Sequence, residues 1–68
     1  MADFSIRLRE IRIKSGKTQK EIAEVLKMQL RSYQFYEEGK AEPSIKKLIA
    51  LADFFDVTLD YLMGRTDS

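Results

Sequence analysis

The side chains able to do chemistry in this chain are hydrogen-bonding and charged groups, gathered in the stretch LRSYQFYEEG from Leu30 to Gly39. Tyr33 and Tyr36 stand three residues apart, the spacing of one helical face, and turn inward. Leu30, Arg31, Ser32, Gln34 and Phe35 then point away from the core and are open to a partner. The chain has no histidine and no cysteine, which excludes disulfides and the usual zinc sites. An enzyme would need paired carboxylates, a lysine, or a serine with a base. Glu37 and Glu38 end a helix beside Gly39, and Asp53, Asp56 and Asp60 are scattered near caps, so solvated surface explains them. The reading is a non-enzymatic binder with no cofactor and no metal.

Other elements must hold that stretch in place. Thr18 can cap a helix, and Glu21, three residues on, can reach back to complete a capping box. Ile22, Ala23 and Leu26 give this helix one apolar face. Lys27 and Met28 form a break, Gln29 precedes the second helix, and Gly39 suits its C′ position. Upstream, Phe4, Leu8 and Ile11 predict a helix from Phe4 or Ser5 to Ser15, closed by Gly16. Ile6 and Ile13 occupy another of its faces. They read either as a widened apolar stripe or as a contact surface for a second subunit or a C-terminal region.

Downstream, Pro43 forbids continuation of the second helix, and Ser44 caps a fourth from Ile45 to about Phe55. Its expected inward stripe is Ile45, Leu48, Leu51, Ala52 and Phe55. Thr58 caps a short fifth helix, Leu59 to Met63, closed by Gly64, and residues 65–68 read as a flexible polar tail. Phe54 and Tyr61 are aromatic where the core does not require them.

Sixty-eight residues make one domain with a thin core, expected to supply roughly 3–5 kcal/mol unless something reinforces it. No apolar run approaches the length of a membrane span, and the start MADFSIRLRE is not a secretory signal, so a cytoplasmic location is expected. The net charge of +1 conceals an asymmetry: residues 1–20 hold six Lys/Arg against two acids, whereas residues 41–68 hold three against five.

Four segments occur in order: RLREIR at Arg7–Arg12, GKTQKEIA at Gly16–Ala23, YEEGKAEPS at Tyr36–Ser44 and LIALADFFDVTLDYLMG at Leu48–Gly64. Together they make the chain resemble the phage repressor and Cro-like helix-turn-helix DNA-binding domains, from roughly Phe4 to Gly64. The resemblance implies an all-α, five-helix repressor-like domain whose helices 2 and 3 form the motif. Helix 3 would enter the major groove of double-stranded DNA.

The resemblance also implies residue roles. Leu30, Arg31, Gln34 and Phe35 match base-facing positions. Thr18, Gln19, Gln29, Ser32, Gly39 and Lys40 match phosphate-contacting ones. Arg12 and Glu37 match a structural bridge between helix 1 and the end of helix 3. Phe54, Leu59 and Tyr61 are candidates for a homodimer surface.

Several positions depart from the family pattern: Lys27 and Asp56 stand where glycine is usual, Gln29 stands at a cap usually filled by Ser or Thr, and Ile6, Ile13, Leu30 and Phe35 stand where polar residues are usual. The expected function is a sequence-specific transcriptional regulator, a repressor on a palindromic operator. The alternative is a protein-interaction module on the same fold, an antitoxin or anti-repressor. Leu30 and Phe35, where the family usually has polar residues, favour it together with the low net charge.

Overall fold

A computed structural model of the chain describes residues 2–66. Among them are five α-helices and no strand: α1 (Ala2–Lys14), α2 (Gln19–Val25), α3 (Leu30–Glu38), α4 (Ile45–Phe55) and α5 (Leu59–Leu62). The starts follow from local chemistry. Thr18 Oγ1 accepts from Glu21 N at 3.1 Å while Thr18 N donates to Glu21 Oε1 at 2.9 Å, which completes the capping box of α2. Ser44 caps α4 and Thr58 caps α5 through their hydroxyls. Gln29 precedes α3 in extended backbone without a side-chain cap bond. Helix α1 begins two residues before the expected Phe4, because Phe4 and Ser5 are themselves buried inside it.

All five helices end in the same way. The residue after the last turn takes a left-handed conformation, its N–H turns back to a carbonyl three residues earlier, and the next N–H reaches five residues back. At α3 these bonds are Gly39 N to Tyr36 O (3.3 Å) and Lys40 N to Phe35 O (2.9 Å). At α2 they are Lys27 N to Glu24 O (3.0 Å) and Met28 N to Ala23 O (3.0 Å). This is the Schellman arrangement. Three of the five left-handed positions hold glycine, but Lys27 and Asp56 both sit at φ 56°. Asp tolerates that region better than most residues.

Lysine does not, and a Cβ there costs about 1–2 kcal/mol. Glycine would remove that strain while adding back roughly 0.5–1 kcal/mol of unfolded-state entropy. Lys27→Gly is therefore expected to stabilise the domain by up to about 1.5 kcal/mol, with a rise in Tm of roughly 4–8 °C for each kcal/mol gained. A thermal melt of the two proteins checks it; an unchanged or lower Tm means that the Lys27 side chain contributes more than its backbone costs.

The core is built from Phe4, Leu8 and Ile11 of α1, Ile22, Ala23 and Leu26 of α2, Tyr33 and Tyr36 of α3, Leu51 and Ala52 of α4, and Leu62 of α5. Helix α3 packs against α1 and α2, and α5 against α1 and α4. The expected stripe of α4 needs one correction. Ile45 is 72% exposed, and Ile49, one turn on, is also exposed. The face that meets the core is Leu48, Leu51, Ala52 and Phe55. Ile45 lies in the first turn on the neighbouring stripe with Ile49, and among the described residues no helix covers that stripe. Ile6 and Ile13 of α1 are likewise exposed, which removes the widened-stripe reading of that pair. Helix α5 ends at Leu62, with Met63 as its cap.

Candidate nucleic-acid interface

Helix α3 is fixed from its inner side. Tyr33 is wholly buried and Tyr36 nearly so, their rings meeting edge to face with centroids 6.1 Å apart. Behind them, on the same inner face, lies a carboxylate. The Glu37 side chain is 0% exposed. Arg12 of α1 meets it with two donors, Nε to Oε2 at 2.6 Å and Nη2 to Oε1 at 3.1 Å. The Tyr33 hydroxyl donates to Oε2, and Gln19 Nε2 donates to Oε1 at 3.0 Å. Four donors thus satisfy a group that burial alone would penalise heavily. Arg12 also gives Nη1 to Lys17 O at 3.0 Å, so one guanidinium ties α1, the loop before α2 and the end of α3 together.

Opposing forces act on this carboxyl. Burial pushes its pKa up, but the bonds from Arg12, Tyr33 and Gln19 outweigh burial and hold it below the ordinary carboxylate range. The same pair holds Arg12 above its usual value, chiefly through the hydrogen bond to Glu37. Burial, with the bond to Glu37 second, pushes the Tyr33 hydroxyl well above the ordinary phenol value.

From Glu37 a line of hydrogen bonds runs outward to the exposed face of α3. Gln19, at the start of α2, spends Nε2 on Glu37 and accepts from Gln34 Nε2 at 3.2 Å. Gln34 Oε1 accepts from Arg31 Nη1 at 3.1 Å. Arg31 Nη1 also reaches Glu38 Oε2 at 3.0 Å, and Lys40 Nζ lies 3.4 Å from Glu38 Oε1. One connected polar strip therefore runs along the outer surface of the two-helix unit, anchored in the core.

This arrangement is a buried-face helix packed across a short capped helix, and the helix-turn-helix family model matches residues 8–62. The chain belongs to the helix-turn-helix family. It is similar to the HTH-type transcriptional regulator ImmR of Bacillus subtilis (strain 168), 38% identical over 61 residues that cover 90% of this chain and 48% of that protein. It is 36% identical over 50 residues to the cryptic phage CTXphi transcriptional repressor RstR of Vibrio cholerae, covering 74% of this chain and 45% of that one. A solved transcriptional regulator from Listeria innocua superposes with a TM-score of 0.87 at 34% identity, over 96% of this chain and 61% of that one. The chain spans about half the length of the curated relatives it matches.

Within this helix-turn-helix domain, the residues singled out from the sequence fall into distinct surroundings. Leu30 is 40% exposed at the start of α3, and Ser32 is exposed beside it. Phe35 is half-buried, because the Arg31 guanidinium lies over its ring at 4.5 Å. Thr18 and Gln29 are exposed at the starts of α2 and α3. Gly39 is exposed, but its N–H is taken by Tyr36 O, so it offers a passing chain only close approach. Lys40 is exposed next to it.

Phe54 and Leu59 are both exposed on consecutive helices. Tyr61 is half-buried under the Arg7 guanidinium at 4.3 Å, and Arg7 Nη1 donates to the Tyr61 and Thr66 carbonyls. Of the proposed tail, Asp67 and Ser68 lie outside the described residues.

Sequence reasoning missed two participants. Arg7 looks like an ordinary surface base until its carbonyl partners, 54 and 59 positions away, are known. Glu38 looks like a helix-end carboxylate. Its spacing of seven from Arg31, two turns along one face, was the available signal.

Proposed function

We propose that this domain binds double-stranded DNA through α3 in the major groove and regulates transcription, two copies acting on a two-fold-symmetric site. The observation that carries this reading is the division of α3: Tyr33, Tyr36 and Glu37 lock one face into the core, and Arg31, Ser32 and Gln34 sit on the other. That division leaves a rigid helix with donors and acceptors along an open edge, which is what base-edge recognition in the major groove requires. Thr18, Gln19, Gln29, Ser32 and Lys40 flank the edge, as groups that hold phosphates and set register do. The names of ImmR and RstR, a regulator and a phage repressor, support the same reading.

The test is selection of bound duplexes from a random pool, followed by affinity measurement across salt. A recovered sequence with two-fold symmetry, bound with affinity that falls steeply with salt through counterion release, is the expected result. Binding to no duplex sinks the reading. The protein-docking alternative rests on exposed Leu30. An apolar interface would lack the salt dependence.

One α3 helix spans only a few base pairs, so a lone domain should bind weakly, and half-sites about 34 Å apart suit a dimer. Phe54 and Leu59, with Tyr61 beside them in sequence, supply apolar surface for it. Sedimentation of the protein on its selected duplex should show two copies. One copy, both free and on DNA, removes the dimer.

A further inference from the structure

Arg31 is held by its own helix. Its Nη1 donates to Gln34 Oε1 at 3.1 Å and Glu38 Oε2 at 3.0 Å, and the guanidinium rests on the Phe35 ring. These neighbours stand three, four and seven residues on, the positions that share its face. The direction of every bond is set from inside the protein. A carboxylate only accepts, so Gln19 turns its NH2 toward Glu37 and its oxygen toward Gln34. Gln34 must then donate to Gln19, which leaves its oxygen facing Arg31. Reversing either amide would set donor against donor or acceptor against acceptor.

Both bonds from Arg31 leave from Nη1. The opposite edge, Nε with Nη2, is the side-on fork that meets two acceptors at once, as O6 and N7 of guanine present them. The Arg31 side chain is 57% exposed, so that edge is reachable. We propose that Gln34 and Glu38 are positioning residues that hold Arg31 by one corner and present its Nε/Nη2 edge to a bidentate acceptor on a base, with Glu37 supporting them through Gln19. This rests on the reading of α3 as the base-reading helix. The exposed Lys40 Nζ lies 3.4 Å from the other oxygen of Glu38 and leaves the Arg31 bond in place.

A mere mask would behave differently. If Glu38 only hid Arg31, its removal would strengthen binding and sharpen sequence preference together. A positioning carboxylate gives a split result. Removing its charge favours every duplex, because one repulsion toward phosphate is gone. The preference falls, because Arg31 must be ordered at the moment of binding. Ordering one such side chain weakens the preferred complex relative to the others by about 2- to 12-fold.

The experiment uses the duplex that the wild type selects from a random pool, its single-base-pair variants, and a scrambled duplex of equal length. In Glu38→Gln the scrambled duplex should bind more tightly, while preference at the Arg31-read base pair falls about 2- to 12-fold. Gln34→Ala should lower the same preference without the gain on scrambled DNA. In the free protein, NMR relaxation of the Arg31 Nε–H should report an ordered side chain that becomes mobile in Glu38→Gln.

Preference unchanged or increased in Glu38→Gln, or Arg31 equally mobile in both proteins, overturns the positioning role. Arg31→Ala separates the two levels of failure. If it leaves every base preference intact, the base-reading role fails and the positioning role with it. If it abolishes one preference that Glu38→Gln keeps, positioning alone is wrong.

Discussion

Arg12→Ala is expected to remove most of the folding margin, leaving folded and unfolded protein comparably populated at room temperature. Removing one partner of a buried ion pair costs about 3–5 kcal/mol, since the other is left charged without compensation. The partner here is Glu37, whose side chain has no exposure and whose remaining hydrogen-bond donors, Tyr33 and Gln19, are neutral; the half-exposed Arg9 stays nearby, 3.6 Å away and outside hydrogen-bond distance. A core of this size supplies roughly 3–5 kcal/mol in total, so the loss is of the same size as the margin. Circular dichroism against temperature measures it.

Arg9→Ala is the comparison. Arg9 Nε also lies near Glu37, at 3.6 Å, but its side chain is 54% exposed. With the cation half in solvent and no hydrogen bond to the carboxylate, this contact should contribute about as little as a surface pair, about 0–1 kcal/mol, so its loss should be small. Arg12→Lys should fall between, because an ammonium keeps the charge but cannot supply the two-pronged contact. If Arg12→Ala and Arg9→Ala melt alike, the pair does not hold α1 to α3.

The same group sets a pH dependence. Glu37 is held below the ordinary carboxylate range in the folded chain, despite burial, by Arg12, Tyr33 and Gln19. A folded value below the unfolded one means that the stabilisation is present in full above the unfolded value. It is lost as pH falls through the folded value. Stability should therefore be flat near neutrality and decline in acid below the usual glutamate pKa of about 4.3. Glu21 and Glu38 are also lowered, by the Thr18 backbone N–H and by Arg31 respectively, and act in the same direction. Glu37→Gln isolates the buried group: it should be less stable at neutral pH and show a shallower acid decline. An acid decline as steep as that of the wild type would assign the effect to the exposed carboxylates instead.

These dependences mark what a sequence discloses. Caps are local, and Thr18 with Glu21, Ser44 and Thr58 can be read from neighbours three positions away. The left-handed ends at Lys27 and Asp56 are legible because the family pattern has glycine there, and both residues take φ 56°. The face of α4 is less legible, because apolar spacing admits two adjacent stripes. Which one is buried depends on where α5 packs, and that leaves Ile45 outside. The pairing of Arg12 with Glu37 spans 25 positions and enters only through the resemblance. The strip from Gln19 through Gln34 to Arg31 and Glu38 is hidden altogether. It needs α2 and α3 in register, and each of its residues alone looks like ordinary polar surface.

Arg31→Ala and Lys40→Ala should weaken DNA binding in different ways, although both side chains touch the same Glu38 carboxylate. Arg31 stands in the first turn of α3, and a bidentate contact from it to guanine would contribute roughly 1–3 kcal/mol of discrimination at one base pair. Its loss should relax preference at one position in each half-site and leave the other positions unchanged. Lys40 follows the end of α3, beside Gly39, with its side chain 65% exposed and so within reach of a phosphate. A phosphate carries no sequence information, so Lys40→Ala should weaken binding to all duplexes about equally. It should also lower the magnitude of the salt slope by about one for each contact removed. Removing either cation also releases Glu38 from one partner, which slightly increases repulsion toward phosphate in both variants. That shared effect cancels when preferences rather than affinities are compared. The measurement is affinity for a set of single-base-pair variants of the selected site at several salt concentrations. If Arg31→Ala weakens every variant equally, Arg31 holds phosphate, and base reading passes to Gln34, Leu30 or Phe35 along the same edge of α3.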